Sequence, residues 1–405
     1  MAPSDTDTAG VFLELEAHYA AHNYHPLPVV LTRGQGAHVF DVEGRRYLDC
    51  LSAYSALNQG HGHPRIVAAL IEQAQRLALT SRAFHNDRFG PYCRKLCERV
   101  GYAKVLLMNT GAEAVETAIK AARRHGYRRK GVAKDRAEIV VFAGNFHGRT
   151  TTIVGFSSDP ESRDEFGPFA PGFVTVPYGD LAATARAMNP NTVAVLVEPI
   201  QGEAGVVIPP EGFLPGLREL CDRHGALLLC DEIQSGMGRA GAWLCHRDSG
   251  IRADGVILGK ALSGGLYPLS AFAADDAVME VFTPGSHGST YGGNPLACAV
   301  GEAALDVLAD EDLCTRSREL GARVAARLRA IRTSRIHEVR ARGLWVGLQL
   351  TDSAGPARVY CERLLQQGIL CKDTHGHTIR IAPPLVVEER DLEEAAAALE
   401  RVLAE

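Results

Sequence analysis

Nowhere in its 405 residues does this chain carry an apolar run near the roughly 18 residues that cross a membrane. It has no basic stripe either, and its net charge of -5 argues against nucleic acid as a partner. The first ten residues are acidic and lack both an apolar core and arginine, so neither a secretory signal nor a mitochondrial leader is expected there. The 10 cysteines show no paired zinc-type spacing, and several, such as Cys230 and Cys371, sit in apolar runs. They read as reduced core thiols of a cytoplasmic protein rather than a disulfide framework. His61-Gly62-His63 and His375-Gly376-His377 have no cysteine or carboxylate at ligand spacing, so no metal is expected. Internal repeats and low-complexity segments are missing too.

What is present is ordinary in bulk and specific in detail. Hydrophobic residues make up 46% and charged residues 22%, a balance typical of globular proteins. The middle of the chain alternates strand and helix. Strand-like runs fall at Lys104–Met108, Ile139–Phe142, Phe173–Val176, Val193–Val197, Ala226–Cys230, Val256–Leu258 and Leu269–Ala273. Helical periodicity covers Pro64–Leu79, Glu113–Tyr127 and Gly212–His224. Continuous apolar strands between helices predict a mostly parallel sheet covered on both faces, with functional residues at the carboxyl ends of the strands. The tail changes character. Long helices at Leu296–Leu308 and Leu313–Ile331 precede strands near Gly343–Leu350, Gly368–Lys372 and Thr378–Ile381, and the amphipathic helix Glu388–Leu403. This predicts a separate, smaller α+β unit, joined near residue 300 by a helix instead of a linker.

Two charged residues at strand ends carry the chemistry. Lys260 closes Val256-Ile257-Leu258-Gly259, and Asp231 closes Ala226-Leu227-Leu228-Leu229-Cys230. Burial disfavours an ammonium and so favours the neutral amine, the form that attacks a carbonyl. A lysine for an aldehyde and a carboxylate for a protonated ring nitrogen are what pyridoxal phosphate needs. Upstream, Asn109-Thr110-Gly111-Ala112-Glu113 follows a strand and opens a helix, with Thr110 and Glu113 placed as a capping box. The free N–H groups of such a first turn suit a phosphate. Gly288-Ser289-Thr290-Tyr291-Gly292-Gly293-Asn294 offers hydroxyls between glycines, either as a plain turn or as another phosphate grip. A literal G-x-G-x-x-G at Gly236, Gly238 and Gly241 invites a nicotinamide reading. It neither follows its strand directly nor opens a convincing helix, so it reads as a loop.

From about residue 20 onward the chain resembles the class III (subgroup II) pyridoxal-phosphate aminotransferases, and among them the branch that acts on the distal amine of ornithine. The segments that carry the likeness include His22–Pro28, Ser55–His61, Leu79–Phe84, Asn145–Thr150, Glu198–Val206, Asp231–Gly236, Leu258–Pro268, Gly288–Asn294 and Ile379–Pro384. The resemblance implies an α/β, fold-type I architecture: a large domain (48–300) around a mainly parallel seven-stranded sheet, a small α+β domain (301–405), and an N-terminal segment (1–47) packing with the latter. It implies Lys260 as the Schiff-base lysine and proton shuttle, and Asp231 at the pyridine nitrogen. Phe146 and Ile233 would cover the two ring faces, Gln234 would approach the phenolic oxygen, and Gly111 and Ala112 would bind phosphate. Ser289 and Thr290 would reach the phosphate of a partner subunit, making the active unit a homodimer with shared sites.

For substrate, the resemblance implies Tyr24 and Arg149 at the far end of ornithine, with Tyr54 shaping the wall. Glu203 would neutralise Arg380 in one half of the cycle and release it to a 2-oxo acid carboxylate in the other. His147 stands where better-known ornithine enzymes carry tryptophan, a departure that bears on substrate preference. Rival readings are an ω-transaminase for N-acetylornithine, 4-aminobutyrate or lysine, and an aminomutase or racemase of the same fold.

Overall fold

The computed structural model describes residues 8–404. Most of the acidic start read above, residues 1–7, lies outside them. Three short strands come first: β1 Leu31–Gln35, β2 His38–Asp41 and β3 Arg46–Asp49. The central layer follows, with β4 Lys104–Met108, β5 Glu138–Phe142, β6 Phe173–Val176, β7 Thr192–Val197, β8 Leu227–Asp231, β9 Gly255–Leu258 and β10 Ser270–Ala274. These seven form one sheet in the order β4-β10-β9-β8-β7-β5-β6. Strands β5 to β9 pair in parallel, and β10 runs antiparallel to both β9 and β4. The mainly parallel seven-stranded sheet is therefore as the sequence predicts.

The strands are apolar throughout because both faces are covered. Leu228 and Cys230 of β8 enter one core cluster, while Leu227 and Leu229 enter another on the opposite face. That is the two-residue alternation of a strand, with apolar side chains on both sides. Helix Gly111–His125 packs on one face and helix Phe213–His224 on the other. The first begins two residues before its periodicity is legible and runs on into a π-turn at Gly126–Lys130.

The C-terminal part supplies β11 Ile336–Ala341, β12 Val346–Leu350, β13 Ile369–Leu370, β14 Lys372–Thr374 and β15 Thr378–Ile381. A four-stranded antiparallel sheet has the order β11-β12-β15-β14. The single run read at Gly368–Lys372 is two strands in two different sheets. β13 pairs in parallel with β3, matching Ile369 to Leu48, whereas β14 joins β15. Hydropathy along a run does not register a change of partner. Helix Pro295–Asp310 passes through residue 300 and packs on helices Pro64–Arg76 and Phe89–Val100. Among the described residues no helix is long and apolar enough to cross a membrane.

At the junction of β4 and helix Gly111–His125 the predicted capping box is formed. Thr110 Oγ1 accepts from Glu113 N (3.2 Å) and Glu113 Oε2 accepts from Thr110 N (2.8 Å). Thr110→Ala should lower the unfolding free energy by about 1 kcal/mol, the usual worth of such a cap. Denaturant titration of the variant checks this, and an unchanged midpoint would show that tertiary contacts alone set the helix start.

Candidate active site

Asp231 and Ile257 are register partners in β8 and β9, so Lys260 leaves the sheet three residues beyond, at the same end. A cavity of about 190 Å³ lies there, lined by Gly111, Ala112, Phe146, Asp231, Ile233, Gln234 and Lys260. The sequence reading named all seven. His147, Gly148, Glu198 and Ile200 complete the lining. Gly111 lies close to Ile233: a Cβ there would come within 2.9 Å of Ile233 Cδ1, the movable end of that side chain.

Asp231 is buried and doubly held: its Oδ1 accepts from Ile233 N (3.0 Å) and its Oδ2 faces His147 Nδ1 at 2.7 Å. Burial alone would lower the His147 pKa, but the hydrogen bond and charge of Asp231 outweigh it and raise the net value. Glu198 accepts from Phe146 N (3.0 Å), and burial pushes its carboxyl up to about 7. Lys260 has a left-handed backbone, with φ of 46°, a conformation costly for a side-chain-bearing residue. Burial, assisted by the Arg380 charge, lowers its pKa against the pull of Glu203 and Asp231. The neutral amine is thereby favoured.

Beyond the cavity sits a second cluster. Arg380 is only 1% exposed and projects from β15, where its register partners are Gly347 and Lys372. Its Nη1 donates to Glu203 Oε1 (2.7 Å) and its Nη2 to Gln234 Oε1 (2.6 Å), while Gln234 Nε2 donates to Glu203 Oε1 (3.2 Å). Burial would raise the Glu203 pKa, yet the charges of Arg380 and Lys260 bring it below the ordinary value. The Arg380 guanidinium lies 5.3 Å from the Tyr54 ring centroid. Charges from Glu203, Arg380 and Arg149 all reach the Tyr54 hydroxyl, and burial raises its pKa most. Arg149 is exposed, 5.8 Å from the Phe146 ring, and Tyr24 is 69% exposed. Ser289 and Thr290 line neither cluster; Ser289 Oγ accepts from Asn109 Nδ2 at 2.9 Å.

Tyr54 is presented in an uncommon way. Ser52, Ala53, Tyr54 and Ser55 have φ values of 47°, 46°, 59° and 71°, a full left-handed turn. At roughly 1–2 kcal/mol per residue, such a turn persists only if its surroundings enforce it. Asp49 Oδ1 accepts from Leu51 N (2.9 Å) and Ser52 N (2.8 Å), and Ser52 Oγ donates to the Ala382 carbonyl. Nothing in Ser-Ala-Tyr-Ser announces this shape, which tertiary contacts impose. His147 was visible beside Phe146, but local spacing could not tie it to Asp231, 84 positions away. The glycine triad at 236, 238 and 241 forms a tight loop closed by Gly238 N donating to Ala242 O (3.0 Å), as read from sequence.

A sequence profile described as "Aminotransferase class-III" matches residues 19–403. This chain belongs to the class III aminotransferases. It is similar to an ornithine aminotransferase of Bordetella pertussis, 57% identical over 390 residues, covering 96% of this chain and 95% of that one. Its likeness to the ornithine aminotransferase of Bacillus subtilis is 53% over 391 residues, covering 96% and 97%. Among solved structures, the ornithine aminotransferase of Toxoplasma gondii superposes with a TM-score of 0.97 at 42% identity, covering 99% and 95%. An acetylornithine aminotransferase of Elizabethkingia anophelis superposes at 0.89 with 46% identity, covering 98% and 99%.

Pyridoxal phosphate is the cofactor of this family member, and the donor set fits it. The cavity joins a primary amine, a buried carboxylate with a hydrogen-bonded histidine behind it, a helix N-terminus, and apolar groups from Phe146 and Ile233. The His147–Asp231 pair also makes a pH prediction. A raised histidine pKa contributes stability that is complete below pH 6.5 and lost as pH rises through the folded value. Glu198 acts with the same sign between its ordinary 4.5 and about 7. The melting temperature of cofactor-free protein should therefore fall as pH rises above 6.5, and His147→Asn should flatten that fall. Parallel wild-type and variant curves across this range would rule the pair out as its source.

Proposed function

We propose that this chain is an ornithine δ-aminotransferase, a cytoplasmic homodimer that moves the δ-amino group of L-ornithine to 2-oxoglutarate. The products are L-glutamate and glutamate 5-semialdehyde, which cyclises to 1-pyrroline-5-carboxylate. The observation that carries this reading is the Glu203–Arg380 pair at 2.7 Å, in which the guanidinium is buried and the carboxylate partly so. One pocket must take ornithine by its distal amine, with only a carbon chain beside the reacting atom, and then 2-oxoglutarate with a carboxylate there. An unpaired buried guanidinium in the first half would be costly, and removing one partner of such a pair typically costs about 3–5 kcal/mol. Glu203 meets that need when it pairs with Arg380, and leaves Arg380 free for a carboxylate when it turns away.

The cofactor supplies an aldehyde that takes up the amine and a ring that withdraws electrons from the adjoining carbon. Lys260 would hold the aldehyde at rest and then carry a proton from the δ-carbon of ornithine to the C4′ carbon. Asp231, steadied by His147 and Ile233 N, would keep the ring nitrogen protonated. Phe146 and Ile233 would sandwich the ring, with Gln234 near its phenolic oxygen. The N–H groups of Gly111 and Ala112 would bind phosphate, joined by the partner's Ser289 and Thr290. Tyr24 and Arg149 would receive the α-amino and carboxylate groups of ornithine, and Arg149 the distal carboxylate of 2-oxoglutarate.

The likeness to an acetylornithine aminotransferase makes N-acetylornithine the second reading. A Tyr24 anchor for a free ammonium argues against it. Single-turnover spectra with ornithine, N-acetylornithine and 4-aminobutyrate decide the matter: rapid loss of the yellow absorbance with ornithine alone is expected, and a faster response to either rival overturns the assignment. Lys260→Ala should abolish turnover. Glu203→Ala should slow the ornithine half-reaction at least about tenfold more than the glutamate half, given the cost of the bare guanidinium. Equal slowing of both halves would refute the switch.

A further inference from the structure

Arg239 has no part in the chemistry above, yet it is among the largest fully buried side chains in the molecule. It sits inside the glycine loop after β8. There Met237, Gly238 and Gly241 take positive φ values of 50°, 89° and 90°, turning the chain tightly around it. Its Nε and Nη2 donate to Asn58 Oδ1 (3.1 and 2.7 Å) and its Nη2 also to Ser52 Oγ (3.1 Å). Its Nη1 donates to the carbonyls of Leu344 and Pro383, both at 2.7 Å. None of these acceptors is a carboxylate. A buried cation held only by neutral acceptors is costly, which raises the question of what it secures.

The acceptors answer it. Ser52 opens the left-handed turn that presents Tyr54, and Asn58 lies just past its end. Pro383 follows Arg380 by three residues, and Leu344 leads into β12, which pairs with β15. The turn and the Arg380 strand are tied again by Ala382 N donating to Cys50 O (2.7 Å). One planar guanidinium thus grips both sides of the Tyr54–Arg380 contact, a task for a rigid fork of five donors and not for an ammonium. Burial lowers its pKa to about 9, Asp49 opposing and Arg380 adding to the fall, so the two arginines sense each other's charge.

We propose that Arg239 is a positioning residue for carboxylate recognition: by clamping Ser52 and Pro383 together it fixes the Tyr54 ring against the Arg380 guanidinium. This rests on the reading of Arg380 as the group that receives the oxo-acid carboxylate. While Glu203 and Gln234 hold Arg380, the clamp is redundant. Once Glu203 turns away, the Tyr54 face and the fixed strand become the main constraints on the guanidinium. The clamp therefore acts chiefly on the dicarboxylate half-reaction.

The test uses holoenzyme of wild type, Arg239→Lys and Ser52→Ala, the last of which removes one acceptor of Arg239 together with the Ser52 Oγ bond to the Ala382 carbonyl, and leaves the buried charge satisfied elsewhere. Glutarate, a dicarboxylate without amine or carbonyl, is the binding probe, its Kd read by calorimetry. KM and kcat for ornithine and 2-oxoglutarate are read alongside. Weakening by about tenfold, equivalent to one hydrogen bond, is expected for glutarate Kd and 2-oxoglutarate KM, with ornithine kcat/KM falling much less. Equal losses for both substrates, or unchanged glutarate affinity in a folded variant, would overturn the proposal. If Arg239→Lys does not fold, unchanged glutarate affinity in Ser52→Ala, which loses both ties of that serine, overturns the proposal, and about tenfold weakening confined to the dicarboxylate supports it. Wild-type enzyme that fails to bind glutarate in competition with 2-oxoglutarate would overturn the reading of Arg380 itself, before any variant is compared.

Discussion

A guanidinium withdrawn from water has to be answered at every moment by something that accepts its protons, and Arg380 is the group on which this structure turns. In the state described, Glu203 and Gln234 answer it through short hydrogen bonds and Tyr54 through its ring face. Those three groups come from the loop after β7, the loop after β8 and the left-handed turn after β3, while Arg380 itself comes from β15. One charge thus draws partners from loops of the large sheet and from the N-terminal segment to a strand of the C-terminal sheet. The energetic logic is that of any buried ion pair: its net worth is modest, but losing one partner is expensive. On the function proposed above, a residue of that kind would receive a carboxylate, with Glu203 standing in when none is present.

Much of the fold was legible because it is written in short-range patterns. Apolar strands such as Thr192–Val197 and Leu227–Asp231 announce themselves by composition, and Thr110 and Glu113 announce the helix between β4 and β5 by a three-residue spacing. Lys260 and Asp231 were readable because a charge at the end of an apolar strand is conspicuous. What stayed hidden depends on partners far along the chain. The Asp231–His147 contact and the fourfold grip of Arg239 involve residues tens to hundreds of positions apart, and no periodicity encodes them. The division of Gly368–Lys372 between two sheets was hidden for the same reason. The substrate residues were named from likeness to a family, and their roles were not derivable from spacing.

Several of the left-handed non-glycine residues lie beside the cavity and the Tyr54 wall, although others, such as Asp135 and Asp312, lie elsewhere. Lys260 and the turn at Ser52–Ser55 hold left-handed conformations at the cavity and at the Tyr54 wall, and Val206 and Met237 do so in the neighbouring loops. At Ser52 buried hydrogen bonds with Asp49 and Arg239 hold the conformation in place. The glycine triad near residue 238, which mimics a nucleotide-binding signature on paper, belongs to the same economy of tight turns. Its glycines permit the curvature that points Arg239 inward.

The parallel pairing of Leu48 with Ile369 joins an N-terminal strand to one near the other end of the chain. Every residue lining the cofactor cavity falls between positions 111 and 260, and the last strand of the large sheet ends at Ala274. All of that precedes the final hundred residues in the chain. The wall around Tyr54 does not, since its supports at Leu344, Ala382 and Pro383 come from near the end. A chain cut short after the large sheet would carry every residue that lines the cavity and lack the supports of the Tyr54 wall.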